Sequence, residues 1–100
     1  MLKTIRVKSY QAVIANDFTG IILYPNNDKI WYVEGKEHRI DGPAIMDANG
    51  DRYWYQNGRH HRLDGPAIEC ANGFRSFWIE DIEFEEKTYW EHIKTKSNKG

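Results

Sequence analysis

Three observations predict a mainly β chain: a β-meander of tandem hairpin repeats forming a single twisted sheet, followed by a C-terminal α-helix. The first is an internal repeat. His38-Arg39-Ile40-Asp41-Gly42-Pro43-Ala44-Ile45 returns as His61-Arg62-Leu63-Asp64-Gly65-Pro66-Ala67-Ile68, an offset of 23 residues with one conservative change. The second is a set of three Asn-Gly pairs, Asn49-Gly50, Asn57-Gly58 and Asn72-Gly73, each between alternating segments. Asn-Gly is a strong hairpin signal because type I′ turns need positive φ at both central residues. The third is a change of period after Asp81, where Phe84, Tyr89, Trp90 and Ile93 fall on one helical face.

The register extends outward from the repeated motif. Trp31-Tyr32 becomes Trp54-Tyr55 and then Phe77-Trp78, while Asn26, Asn49 and Asn72 coincide, as do Ile22, Ile45 and Ile68. The chain thus divides into three units, 20–42, 43–65 and 66–88, within one domain spanning 1–100. The first unit lacks the Pro-Ala opening, and the third replaces His-Arg-x-Asp-Gly by Glu83-Phe84-Glu85-Glu86-Lys87. Atypical end units suit an array whose ends meet water rather than another unit.

Residues 1–19 precede the repeats as a strand and then a short helix or turn. Residues 2–8 alternate, with Ile5 and Val7 on one face, which predicts the strand. Ser9 can act as an N-cap, and Tyr10, Val13 and Ile14 space as one helical turn across 10–15. Within the repeats, strands are expected at 21–24, 29–33, 44–47, 52–56, 59–61, 67–70 and 74–80, joined at 25–28, Glu34-Gly35 and the Asn-Gly pairs, with Asn49-Gly50 a two-residue turn. The helix is expected over about 85–96, with Glu83, Glu85 and Glu86 at its start and Lys94 and Lys96 at its end, matching the helix dipole. Its aromatic face is expected to cover the open end of the sheet. The polar tail 94–100 is expected to fray.

Composition bounds the chemistry. A net charge of −1 provides no field for nucleic acid or an anionic membrane. Cys70 is the single cysteine, so no disulfide forms within the chain, and a reducing cytoplasm fits best. No apolar run reaches the length of a membrane span. Phosphate-loop, nucleophile-elbow and zincin patterns are not found, no catalytic residue is assigned, and no cofactor is expected. His38, His60, His61 and Cys70 match no zinc spacing, and His60 and His61 face opposite ways if they lie on a strand, so no metal is assigned.

The binding candidates are the two His-Arg pairs and the aromatics. His38-Arg39 and His61-Arg62 either line a groove for phosphate or carboxylate, or brace the scaffold by pairing with Asp41 and Asp64 while Gly42-Pro43 and Gly65-Pro66 shape the turns. Recurrence at a fixed offset favours the second reading. Neighbours on a strand face opposite ways, so Trp31, Trp54 and Phe77 are expected inside, and Tyr32, Tyr55 and Trp78 on an exposed outer stripe.

The sequence Trp54-Tyr55-x-x-Gly58-x-x-His61-Arg62-x-Asp64-Gly65-Pro66-Ala67-Ile68, with its Asn-Gly turn, resembles the MORN-like repeat variant found in small tailed-bacteriophage proteins. Lys3-Thr4-Ile5-Arg6-Val7, Asn16-Asp17-Phe18-Thr19-Gly20 and the aromatic ending are also similar to such proteins. Asn26-Asn27, where Asn-Gly is expected, and the degenerate third unit are the departures. The resemblance implies a non-enzymatic interaction module: a phage accessory protein, cytoplasmic in the infected host, that binds and inhibits a host or anti-phage defence protein. The residues themselves, rather than the resemblance, give the expected partner-binding set: Tyr32, Tyr55, Trp78, His38, Arg39, His61 and Arg62. The alternative is a small-ligand, nucleotide or nucleic-acid binder using the His-Arg pairs with the aromatics.

Overall fold

The structure is a computed structural model that describes residues 2–97; Met1 and residues 98–100, part of the tail expected to fray, lie outside the described residues. The fold is mainly β with one C-terminal helix. In chain order the strands are β1 (Thr4–Arg6), β2 (Gly20–Leu23), β3 (Lys29–Val33), β4 (Lys36–Glu37), β5 (Ile45–Met46) and β6 (Arg52–Tyr53). They continue as β7 (Tyr55–Gln56), β8 (Arg59–His60), β9 (Ile68–Glu69), β10 (Arg75–Ile79) and β11 (Ile82–Phe84), before helix α1 (Glu86–Ser97). A nine-stranded sheet runs β1-β2-β3-β5-β6-β9-β10-β11 with β4 also on β3, and β7-β8 form a two-stranded ribbon. Among the described residues β1 pairs in parallel with β2, and the remaining pairs are antiparallel.

Two expected elements differ. Residues 10–15 form no helix: the Ser9 side chain accepts the Gln11 N–H at 3.0 Å, closing a bare turn. Three apolar residues at helical spacing do not repay helix nucleation in so short a segment. The strand expected over 52–56 breaks at Trp54, whose backbone N–H turns to Ala67 O at 2.7 Å while its carbonyl accepts His61 N–H at 3.0 Å.

The turns come in two kinds. Glu34-Gly35, Asn57-Gly58 and Glu80-Asp81 have both central φ values positive, as type I′ hairpins require. Asn49-Gly50 and Asn72-Gly73 also lie at hairpin turns, but not as two-residue loops. Gly50 N–H bonds to Asp47 O at 3.0 Å and Asp47 N–H to Asp51 O at 2.9 Å, with only Gly50, at φ 97, left-handed. This is a three-residue loop in which a tight turn precedes a left-handed residue. In the first unit Asn27, at φ 75, occupies the position of that glycine, which explains how Asn26-Asn27 substitutes for Asn-Gly.

The 23-residue repeat recurs as equivalent hydrogen bonds. Asp28 Oδ1 accepts Ala48 N–H at 2.7 Å, and Asp51 Oδ1 accepts Ala71 N–H at 2.9 Å. Arg39 N–H bonds to Tyr55 O and Arg62 N–H to Trp78 O, both at 3.1 Å. Each unit is thus fastened to the next by side chain and backbone alike.

The two ends are sealed on opposite faces. Tyr32, with Ile22 and Tyr24, is covered by Ile5, Val7, Ile14 and Phe18 of the N-terminal segment. The other face, at Phe77 and Ile79, is covered by Tyr89 and Ile93 of α1 together with Phe84. The helix therefore packs across the face of β10, and Arg75 pairs with Glu86 at its first turn at 3.1 Å. Phe84, expected on the helix, lies in β11 yet still meets Tyr89 edge-on at 6.4 Å. Among the described residues no helix is long and apolar enough to cross a membrane.

Candidate functional site

The repeated motif is a clamp built around its arginine. The Arg62 guanidinium lies 3.9 Å from the centre of the Trp54 ring, donates from Nε to Asp64 Oδ1 at 2.8 Å and from Nη1 to Pro66 O at 2.9 Å. Arg39 repeats this over Trp31 at 4.0 Å, with Asp41 at 2.9 Å and Pro43 O at 3.2 Å. The Arg39 guanidinium, hydrogen-bonded to Asp41, holds that carboxyl below its ordinary range. Gly42 and Gly65 are needed for space rather than for φ. A Cβ on either would stand 2.8 Å from the arginine Cζ. Each guanidinium is sandwiched between an indole and a glycine, a geometry that a lysine cannot reproduce.

The histidines bind the next unit. His38 Nδ1 accepts Asn57 N–H at 2.9 Å, and His61 Nδ1 accepts Glu80 N–H at 3.2 Å. In the third unit, which lacks the motif, Tyr89 replaces the arginine: its ring is 4.8 Å from Phe77 and its hydroxyl donates to Arg62 O at 2.6 Å. The same hydroxyl accepts Gly65 N–H at 3.2 Å. The His-Arg pairs are therefore engaged within the scaffold.

The aromatic pairs divide between the two faces, but Trp54, expected inside with the buried Trp31 and Phe77, is only half-buried, and the expected exposed stripe is shorter than three residues. Tyr32 is only 8% exposed, because Phe18 packs against it at 6.2 Å. Burial, then a hydrogen bond with Tyr24, pushes its phenol far above the ordinary value. Tyr32 thus belongs to the core, as an N-terminal segment without its helix folds back over the first unit. Tyr55 and Trp78 are half-buried and belong to neither covered cluster, and His60 stands between them, its ring 4.4 Å from Tyr55 and 5.0 Å from Trp78. Strand alternation and pairing place Ile45, Tyr53 and Ile68, all half-buried, on the same face. Tyr55 and Trp78 thus lie on the opposite side of the sheet from Trp54, Arg62 and His61, and the proposed partner-binding residues do not form one surface.

His60 is the residue that the composition of the stripe did not reveal. Its signal was pairing: Asn57-Gly58 as a type I′ turn sets Tyr55 opposite His60. Asp81 Oδ1 accepts the His60 backbone N–H at 2.8 Å and lies 3.4 Å from Nδ1, holding the ring in the stack. Elsewhere, burial and the neighbouring Asp28 and Asp51 raise the Asp47 carboxyl above its usual range. Among the described residues no group of three or more His, Cys, Asp or Glu side chains is placed to hold a metal.

No family model, no curated protein and no solved structure matches the chain.

Proposed function

We propose that the chain is a non-enzymatic protein-interaction module whose docking surface is the face bearing Tyr55, His60 and Trp78, with Ile45, Tyr53 and Ile68 behind them. What supports this reading is the aromatic stack itself: three half-buried rings, Tyr55 and His60 on the β7-β8 ribbon and Trp78 on β10, held in contact outside the two covered clusters. Such rings supply amphipathic contact area at low entropic cost, as interface anchors do. The resemblance to MORN-like repeats of tailed-phage proteins extends the reading to a phage accessory protein that binds and inhibits a host or defence protein in the bacterial cytoplasm. The test is affinity capture from bacterial lysate with the wild-type chain and Tyr55→Ala side by side. A partner retained by the first and lost by the second, at unchanged fold, is the expected result. Equal capture by both would remove this face as the docking surface.

The rival reading, a nucleotide or nucleic-acid grip by His38, Arg39, His61 and Arg62, has less support, because both guanidinium groups are spent on the Trp rings and turn carbonyls and Nδ1 of each histidine is held by the neighbouring unit.

A further inference from the structure

A cleft of about 410 Å³ lies on the side of the sheet away from Tyr55 and Trp78, lined by Lys36, Gln56, Asn57, Arg59, His61 and Glu80. It shares Gln56 and His61 with an adjoining cleft of about 430 Å³ lined by Ile40, Leu63 and Trp54, and also by Arg62 with the Asp41 and Asp64 carboxylates of the two arginine clamps. The two form one groove, one end carrying Lys36 and Arg59, the other mixing apolar side chains with the ion pairs of the arginine clamps. Both volumes fall in the range of small-ligand sites.

The cationic end is open to a ligand. Lys36 and Arg59 sit at the same register one repeat apart, on β4 and β8, and both are exposed. Neither takes part in an ion pair among the described residues. The Lys36 stem is seated against Gly58, where a Cβ would stand 3.7 Å from it. His61 adds a directed donor: its Nδ1 accepts Glu80 N–H, so the neutral ring carries its proton on Nε2. Gln56 contributes an amide.

The equivalent positions in the other units show that the scaffold does not demand this set. One repeat earlier the same place is a cleft of about 270 Å³ in which Val33 and Glu34 replace Gln56 and Asn57, and Asn16 and Asp17 add acidic and polar walls. One repeat later Ile79, Ile82 and Phe84 stand where Gln56, Arg59 and His61 stand. Only the middle unit combines two unpaired cations with neutral donors beside an apolar wall.

We propose that this groove binds a small organic phosphate, the phosphate between Lys36 and Arg59 with Gln56 and His61 as further donors, and the apolar substituent toward Ile40, Leu63 and Trp54. Two cations match a phosphate dianion better than a carboxylate monoanion, and the guanidinium fork and the point-charge ammonium both bind phosphate oxygens. The Glu80 carboxylate on the same wall, with Asp41 and Asp64 in the adjoining cleft, opposes the anion and keeps binding moderate. This inference is independent of the protein-docking face, because it uses the other side of the sheet.

The test is a two-dimensional amide NMR titration of the full chain with phenyl phosphate, benzoate and inorganic phosphate. Phenyl phosphate is expected to saturate, shifting Gln56, Asn57, Arg59 and His61 and the Trp54 indole, and to bind about tenfold tighter than either of the others. The double variant Lys36→Ala/Arg59→Ala, which removes two exposed and unpaired side chains, should lose at least about tenfold at an unchanged melting temperature. Glu80→Gln should tighten binding several-fold, by removing the opposing charge. Non-saturating or scattered shifts, unchanged affinity in the double variant, or equal binding of benzoate would overturn the assignment. Loss of partner capture in Tyr55→Ala with phenyl phosphate binding intact would keep the two sites distinct.

Discussion

At the scale of single residues, the repeated arginine decides the local structure. Arg62 is held by Trp54, Asp64 and the Pro66 carbonyl, and Gly65 leaves the room for it to lie there. Gly65→Ala should cost about 1–3 kcal/mol through overpacking, read as a lowered melting temperature. The cost should shrink in an Arg62→Ala background, because the clash partner is gone, so a double-mutant cycle measures the sandwich directly. Additive effects would mean that Gly65 serves the backbone instead. Asp47 offers a prediction of opposite sign. Burial, Asp28 and Asp51 raise its carboxyl above the unfolded value, so the folded state binds this proton more tightly. Its charge destabilises the fold above the raised value, and acidification through the window between the raised and the unfolded values relieves it. Asp47→Asn, which can still accept from Tyr53, should therefore raise the melting temperature at neutral pH, and the gain should vanish in acid. A gain that persisted unchanged at low pH would point away from the carboxylate charge.

At the scale of elements, the type I′ turns and the capping helix carry separate tests. Gly58 sits at φ 76 in a tight two-residue turn, so Gly58→Ala should cost about 1 kcal/mol by denaturant titration. Besides its packing on β10, helix α1 is tied to the repeated motif by one hydroxyl: Tyr89, fully buried, bonds to both Arg62 O and Gly65 N. Tyr89→Phe keeps the ring on Phe77 but strands two backbone groups, for about 1–3 kcal/mol. Its effect should appear as faster amide exchange at Gly65 and across 86–95, with the N-terminal unit unchanged. Uniform loss of protection throughout the chain would show that the cap and the array unfold as one.

At the scale of the whole molecule, the two seals leave the middle unit with both faces accessible. The N-terminal segment covers one face of the first unit and α1 covers the other face of the third. This arrangement separates fold from binding in a pair of adjacent residues. Trp54→Ala removes the platform of Arg62 and should cost about 3 kcal/mol of stability. Tyr55→Ala, on the uncovered face, should weaken partner binding by about 2 kcal/mol while lowering stability less than Trp54→Ala does. Melting curves and partner affinities measured on the two variants check both halves of the contrast.

The sequence by itself determined the mainly β architecture, the 23-residue period, the positions of the hairpin turns and the terminal helix. Each arises from local chemistry: the φ demands of Asn-Gly, alternation along strands and the 3.6 period after Asp81. The Arg-Asp pairing within each motif was also legible, since its members are two residues apart. Tertiary structure alone decided which aromatics meet water. Alternation separates Trp31 from Tyr32, but only the fold-back of Phe18 buries Tyr32, and only pairing across Asn57-Gly58 stacks His60 on Tyr55. Likewise the groove joins Lys36 to Arg59 because consecutive units stack side by side. Local propensity acts along the chain within a few residues; coverage of a face is set by segments distant in sequence, whose packing no local pattern encodes.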